Sequence, residues 1–220
     1  GSFFALHRLW TPERLARCAK LLDAAAARAQ GDPAFSARVA MNREGFENAR
    51  QYIALRDLLH RGDVAGAKSL YDRFLARAEA QQAAGYGNHY TPGYLKRFVG
   101  KQVEAVWAAA GPPRRIAAVL PDRWRMQPDR GGAAGYARPD FDDSSWREVA
   151  TYSETLDGQG LPDEKTILWY RTKLEIPRLG PKPTLVFMEV DGDAAVFING
   201  KEAGAGKKRE TFTVDAAALR

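Results

Sequence analysis

Up to about Ala110, apolar side chains return every third or fourth position, the spacing that lays a stripe down one face of an α-helix. Start signals stand where such helices need them. Thr11-Pro12-Glu13 supplies a hydroxyl cap, a proline at the first helical position and an acid in the positive first turn. Leu15, Cys18 and Leu22 then line one face, and Gly31 stops the helix. Asp32-Pro33 repeats the signal, and Phe35, Val39, Phe46, Ala49, Ile53 and Leu58 carry a stripe to Arg61-Gly62, with Gly45 a place for a bend. Asp63 caps a third helix through Val64, Ala67, Leu70, Tyr71, Phe74 and Ala78, closed by the turn-rich Gly85-Tyr86-Gly87-Asn88. Thr91-Pro92 opens a fourth, whose apolar face is Leu95, Phe98, Val99, Val103 and Val106. Short connections between successive helices predict an antiparallel bundle over 1–110.

Gly111-Pro112-Pro113 breaks this pattern, and 111–119 reads as a linker. Beyond it the helical spacing gives way to short runs between Gly, Pro and Asp: Ile116 to Leu120, Trp146 to Val149, Ile167 to Ile176, Thr184 to Val190, Ala194 to Ile198 and Glu210 to Val214. Runs of this kind predict an antiparallel β-sandwich over 120–220, so the chain as a whole is expected to be α+β and multidomain. Between Trp169 and Ile176, alternation places Tyr170, Thr172, Leu174 and Ile176 on the expected core face and Trp169, Arg171, Lys173 and Glu175 on the other. Asn199-Gly200 favours a tight hairpin turn, because both residues tolerate positive φ.

The 220 residues, 45% hydrophobic and 10% aromatic, hold enough apolar material for two cores. No run is long enough for a membrane helix, and the opening residues lack a signal-peptide pattern; Gly1-Ser2 reads as a cut point or cloning remnant. The single cysteine, Cys18, excludes an intrachain disulfide and is expected to be buried packing. The net charge of +6 is scattered, with only Lys207-Lys208-Arg209 and Pro113-Arg114-Arg115 as local clusters, and no reading motif for nucleic acid accompanies it. His7, His60 and His89 are not in metal-ligand spacing, so neither a metal nor a cofactor is expected, although calcium on loop acids such as Asp142 or Asp191 is conceivable in a β-sandwich. Gly204-Ala205-Gly206-Lys207-Lys208 fails as a phosphate loop and reads as a flexible connection.

Three segments carry a resemblance: Phe141-Asp142-Asp143-Ser144-Ser145-Trp146, then Trp169-Tyr170-Arg171, then Asp191-Gly192-Asp193 running through Phe197-Ile198-Asn199-Gly200-Lys201. In this order they resemble the galactose-binding-like jelly roll of family 2 glycoside hydrolases, over about the last hundred residues. That resemblance implies a sandwich incomplete at its C-terminus, hence a fragment of a longer protein. Tyr52 to Ala67 and Tyr90 to Phe98 are similar to the helical region of uncharacterised bacterial proteins related to α-glucuronidases. The implied setting is a noncatalytic accessory region of a larger bacterial glycosidase, exported rather than cytoplasmic, whose partners are a carbohydrate and the catalytic domain of the same polypeptide, with no nucleic acid and no membrane.

No catalytic residue is expected in this chain. The acid pairs Asp142-Asp143, Asp191 with Asp193, and Asp163-Glu164 sit in turn-forming sequence rather than as opposed carboxyls, and Lys207-Lys208-Arg209 stands where a β-galactosidase can lend a carboxylate. A sugar site needs an aromatic face and polar groups for hydroxyls. Trp169 and Arg171 supply both from one strand, Trp124, Tyr136 and Asn199 can join them if loops fold over that edge, and Lys207 suits an acidic sugar. The competing readings are tryptophans that plug a purely structural sandwich, and a helical protein–protein interaction module, which would expose an apolar patch.

Overall fold

The computed structural model describes residues 6–85, 90–129, 131, 135–161, 166–176 and 178–219. The chain is mixed α and β and divides into two compact units, Gly1–Pro112 and Pro113–Arg220. His89, Tyr86-Gly87-Asn88 and Asp163-Glu164 lie outside the described residues.

The first unit is helical: α1 (Leu6–Leu9), α2 (Pro12–Arg28), α3 (Pro33–His60), α4 (Val64–Ala83), α5 (Pro92–Tyr94), a π-helical segment (Leu95–Gly100) and α6 (Lys101–Ala110). Each long helix starts on a side-chain cap. Thr11 accepts from the Arg14 amide at 3.4 Å, Asp32 from Ala34 and Phe35 at 2.9 and 3.0 Å, Asp63 from Gly66 at 2.9 Å, and Thr91 from Tyr94 at 3.2 Å. α2 packs on α3, α3 on α4, and α4 on α6. Most of the core lies from Phe46 onward, where Phe46, Leu55, Tyr71, Phe74, Leu95 and Val103 are buried, each contributing roughly 1.5–3 kcal/mol of transfer free energy.

Several expected helical positions fall elsewhere. α3 runs through Gly45 without interruption, and its buried side chains begin only at Phe46, so Phe35 is exposed and Val39 half-buried. Cys18 is half-buried rather than buried, since α2 contains no buried residue at all. Phe98 is 53% exposed. The expected face assumed an α-helical period, but the wider π turn rotates Phe98 off the face while returning Val99 to it. Phe98 instead packs against Tyr94, with ring centroids 4.7 Å apart and the planes tilted by 37°.

Gly100 ends the π segment directly against the hydroxyl of buried Tyr71, and a Cβ there would overlap that oxygen. Asn48, 0% exposed, faces the same core with neither its amide nitrogen nor its amide oxygen paired to protein.

Among its described residues the second unit holds seven short strands: β1 (Arg123–Pro128), β2 (Arg147–Ala150), β3 (Leu168–Arg171), β4 (Thr184–Phe187), β5 (Ala194–Ile198), β6 (Lys201–Gly206) and β7 (Phe212–Asp215). They form antiparallel sheets ordered β2-β1-β3, β4-β7 and β5-β6. Asp122 fastens the start of β1 to the exit of β2: its carbonyl accepts from Thr151 and its carboxylate from the amides of Tyr152 and Ser153. On the outer side of β2, Gln159 accepts from the Ala150 amide at 2.7 Å and donates to the Ala150 carbonyl at 2.9 Å.

Two strands depart from the sequence pattern. Ile116 to Leu120 forms no strand; it is unpaired, with Ile116 and Val119 exposed. Gly204 to Gly206, expected to be a flexible connection, belongs to β6 instead. The glycines are there for close approach, since a Cβ at Gly204 or Gly206 would strike Val214 or Phe212 of β7. Pairing of β3 stops at Arg171, yet alternation continues beyond it: Thr172, Leu174 and Ile176 are half-buried while Lys173 and Glu175 are exposed. No helix among the described residues is long and apolar enough to cross a membrane.

Two substitutions test the helical core. Gly100→Ala is expected to lower unfolding free energy by about 1–3 kcal/mol through overpacking against Tyr71. Asn48→Leu is expected to raise it by about 1–3 kcal/mol, because an unpaired buried amide is replaced by a hydrocarbon of similar size. Urea denaturation of the two variants beside the parent measures both, and an unchanged midpoint in either contradicts the corresponding packing.

Candidate functional site

The register of the β2-β1-β3 sheet fixes what each face presents. Met126 stands opposite Tyr170 and Trp124 opposite Val149, so these four share one face. Gln127 stands opposite Trp169 and Arg125 opposite Arg171, which places these four on the other face, together with Trp146 one position ahead of β2. Met126 and Val149 are buried, and burial pushes the Tyr170 phenol above its ordinary range.

The second face is covered by the chain between Gly135 and Trp146. Tyr136 meets Phe141, Trp146 and Trp169 edge-on, at centroid distances of 5.1, 5.0 and 5.7 Å. Arg171 clamps this loop from below. Its Nε donates to Asp143 Oδ2 at 2.9 Å, its Nη1 donates to the Tyr136 carbonyl, and its guanidinium lies 5.5 Å from the Phe141 ring centre. Arg125 adds a bond from Nη1 to the Trp146 carbonyl at 3.1 Å.

The β5–β6 hairpin closes the other flank. Phe197 lies 5.6 Å from Trp169 with the rings tilted by 34°, and Pro139 sits where a Cβ on Gly200 would point. Asn199 and Gly200 both take positive φ, as the turn requires. Trp169 is fixed in its plane by its Nε1, which donates to Asp129 Oδ2 at 3.2 Å, while Asp129 Oδ1 accepts from the Gly131 amide. The outcome is a packed aromatic layer whose rim, half-buried Trp169 beside Phe197 at 37% exposure, reaches the surface.

Of the residues expected to contact sugar, Trp169 and Arg171 share a face and Tyr136 folds onto it. Trp124 does not join them: alternation along β1 sends it to the opposite face, where its Nε1 donates to the Pro121 carbonyl at 2.7 Å. Asn199 is engaged elsewhere, donating from Nδ2 to the Ala218 carbonyl, after β7, at 2.6 Å. Lys207 is exposed beyond the far end of the hairpin, roughly 13 Å along the strands from Phe197. Arg171, with its side chain 14% exposed, holds the loop rather than offering its donors to a ligand. The expected noncore face of β3 is therefore a second covered face, because the loop through Tyr136 and Phe141 folds back across it. Phe141, Trp146, Phe197 and Asp129 complete the layer. Phe141, Trp146 and Phe197 belong to the segments that carry the family resemblance, whereas nothing in the sequence marked Asp129.

The loop acids have structural partners. Asp142 Oδ1 accepts from the Ser144 amide at 2.9 Å, which holds the Asp142 carboxyl below its usual range. Asp140 is lowered by the hydrogen bonds it receives from Arg138. Asp193 accepts from the Lys208 amide at 3.0 Å, and Asp191 lies 3.3 Å from Arg209 and 3.6 Å from Lys208. The basic cluster after β6 thus folds against the acidic loop before β5. His7 meets Arg56, and among the described residues no three His, Cys, Asp or Glu side chains cluster as a metal site. Compared with known proteins, the chain matches no family model, no curated protein and no solved structure.

Arg171→Met is expected to cost the second unit about 2–3 kcal/mol, since a half-buried carboxylate and a carbonyl both lose their donor. Arg171→Lys should recover only part of this, because an ammonium lacks the planar fork. Tryptophan fluorescence during urea titration reads both variants, and full stability in Arg171→Met would show that the clamp contributes nothing.

Proposed function

We propose that this chain is a noncatalytic accessory region of a larger glycoside-hydrolase-like protein, and that its second unit is a galactose-binding-like sandwich that meets carbohydrate at the Trp169–Phe197 rim. The observation that carries the reading is that rim: two tilted rings at the surface, held from behind by Tyr136, Phe141 and Trp146. A pyranose presents an apolar face that stacks on such a surface, and a platform already fixed by Asp129 and the loop loses little entropy on binding. The antiparallel strands and the Asn199-Gly200 hairpin are consistent with the family resemblance, and the helical unit is read as a bundle that takes no part in sugar contact.

Isothermal titration of the full chain with galactose-type and uronic-acid oligosaccharides tests this. Binding is expected for at least one neutral oligosaccharide. Trp169→Ala and Phe197→Ala should each weaken it tenfold or more, about 1.4 kcal/mol, with circular dichroism unchanged. Failure of every saccharide to bind would leave the second unit a structural spacer.

A further inference from the structure

The α2–α3 hairpin is built unlike the rest of the helical unit. α2 contributes no buried residue, and α3 contributes none before Phe46, so the first half of α3 and the end of α2 facing it lie outside the core. Leu21 and Phe35 are 60% and 56% exposed. Between the two helices runs an open groove of about 500 Å³, lined by Leu21, Ala24, Ala25, Phe35 and Val39, with Arg28 at its rim. Its alanine floor leaves room for a backbone to come close, and its large side chains stand at the edges.

Charge decides what fits. From Arg14 to Arg43 the sequence has six basic and two acidic residues, a net of +4. Both acids are engaged within the hairpin: Asp23 pairs with Arg43 at 2.7 Å, and Asp32 caps α3. No acid among the described residues pairs with Arg17, Lys20 or Arg28. Arg17, Leu21, Ala24 and Arg28 follow one another at helical spacing on a single face of α2, so apolar anchors and cations alternate along the groove. Arg38 lies over the Phe35 ring, 5.6 Å from its centre. A second copy of the chain would bring +4 against +4, which opposes self-association through this surface.

We propose that this groove docks an acidic amphipathic helix of a partner protein, with leucine-type side chains between Leu21 and Phe35 and Asp or Glu flanks on Arg17, Lys20 and Arg28. The recognition is the helix-in-groove mode with electrostatic steering. It is independent of the Trp169–Phe197 rim, so either can fail alone.

The test is selection of a displayed library of helix-forming peptides, apolar at one stripe and random at the flanks, on the full chain. Recovered peptides are expected to carry Asp and Glu flanks and to lose affinity tenfold or more on Phe35→Ser and on the double variant Arg17→Glu/Arg28→Glu. These positions are surface residues, and circular dichroism checks that both variants fold. Recovery of no peptide, of basic flanks, or of peptides indifferent to both variants overturns the proposal. So does a concentration-dependent dimer in sedimentation that Phe35→Ser abolishes, or preferential binding of phosphatidylserine vesicles over every selected peptide.

Discussion

Arg171 ties β3 to the loop between Gly135 and Trp146 through a single guanidinium. It sits at the end of β3, and from there its guanidinium reaches Asp143, the Tyr136 carbonyl and the face of Phe141. These groups lie on a stretch that is almost without regular secondary structure between β1 and β2, so few backbone ladders fix it. A delocalised cation with several donors in one plane can satisfy a carboxylate and a carbonyl together while its flat surface packs on a ring, and no other side chain does all three. Tyr136 then orients against Trp169, and Pro139 of the same stretch receives the turn at Gly200. The surface aromatic rim thus inherits its geometry from a charge it does not touch with a ligand.

The helical unit is organised by a different constraint, unequal coverage. The parts of α3, α4 and α6 that meet one another are filled with Leu55, Phe74 and Val103, and even an unpaired Asn48 is tolerated there. From Pro33 to Arg43, before Glu44 bonds Arg77 and Gln81 of α4, α3 has no buried side chain, and its apolar residues Phe35 and Met41 are exposed. Apolar side chains outside a core gain nothing from folding until something covers them. Stability and recognition are therefore placed at opposite ends of the same long helix.

What was legible in the sequence was whatever is decided locally. Thr11, Asp32, Asp63 and Thr91 declared the helix starts because an N-cap acts within three residues. Asn199-Gly200 declared the hairpin for the same reason. What was not legible depended on partners distant in the chain. The strand Arg123–Pro128 carries two arginines and ends in proline, and it is a central strand only because β2 and β3 flank it. β6 is glycine-rich because β7 presses on it, a pressure invisible in its own composition. Trp124 and Trp169 looked like candidates for one surface, and only the register between their strands sends them to opposite faces. The exposure of Phe98 came from a π turn, for which the sequence offered no signal.

Gln159 has a consequence for how this protein behaves in company. With one amide it answers both the N–H and the C=O of Ala150, on the side of β2 where no strand lies among the described residues. An open strand edge is a template onto which another chain can add itself, and the usual defences are charges, prolines or bulges. Here a side chain impersonates the first rung of a neighbouring strand and occupies the place where recruitment would begin. The same two-point bond also pins β2 in its frame, because a slip by one residue would present Gln159 with the wrong pair of backbone groups and turn Val149 out of the core. A single glutamine thus guards this sheet against both polymerisation from outside and misalignment from within.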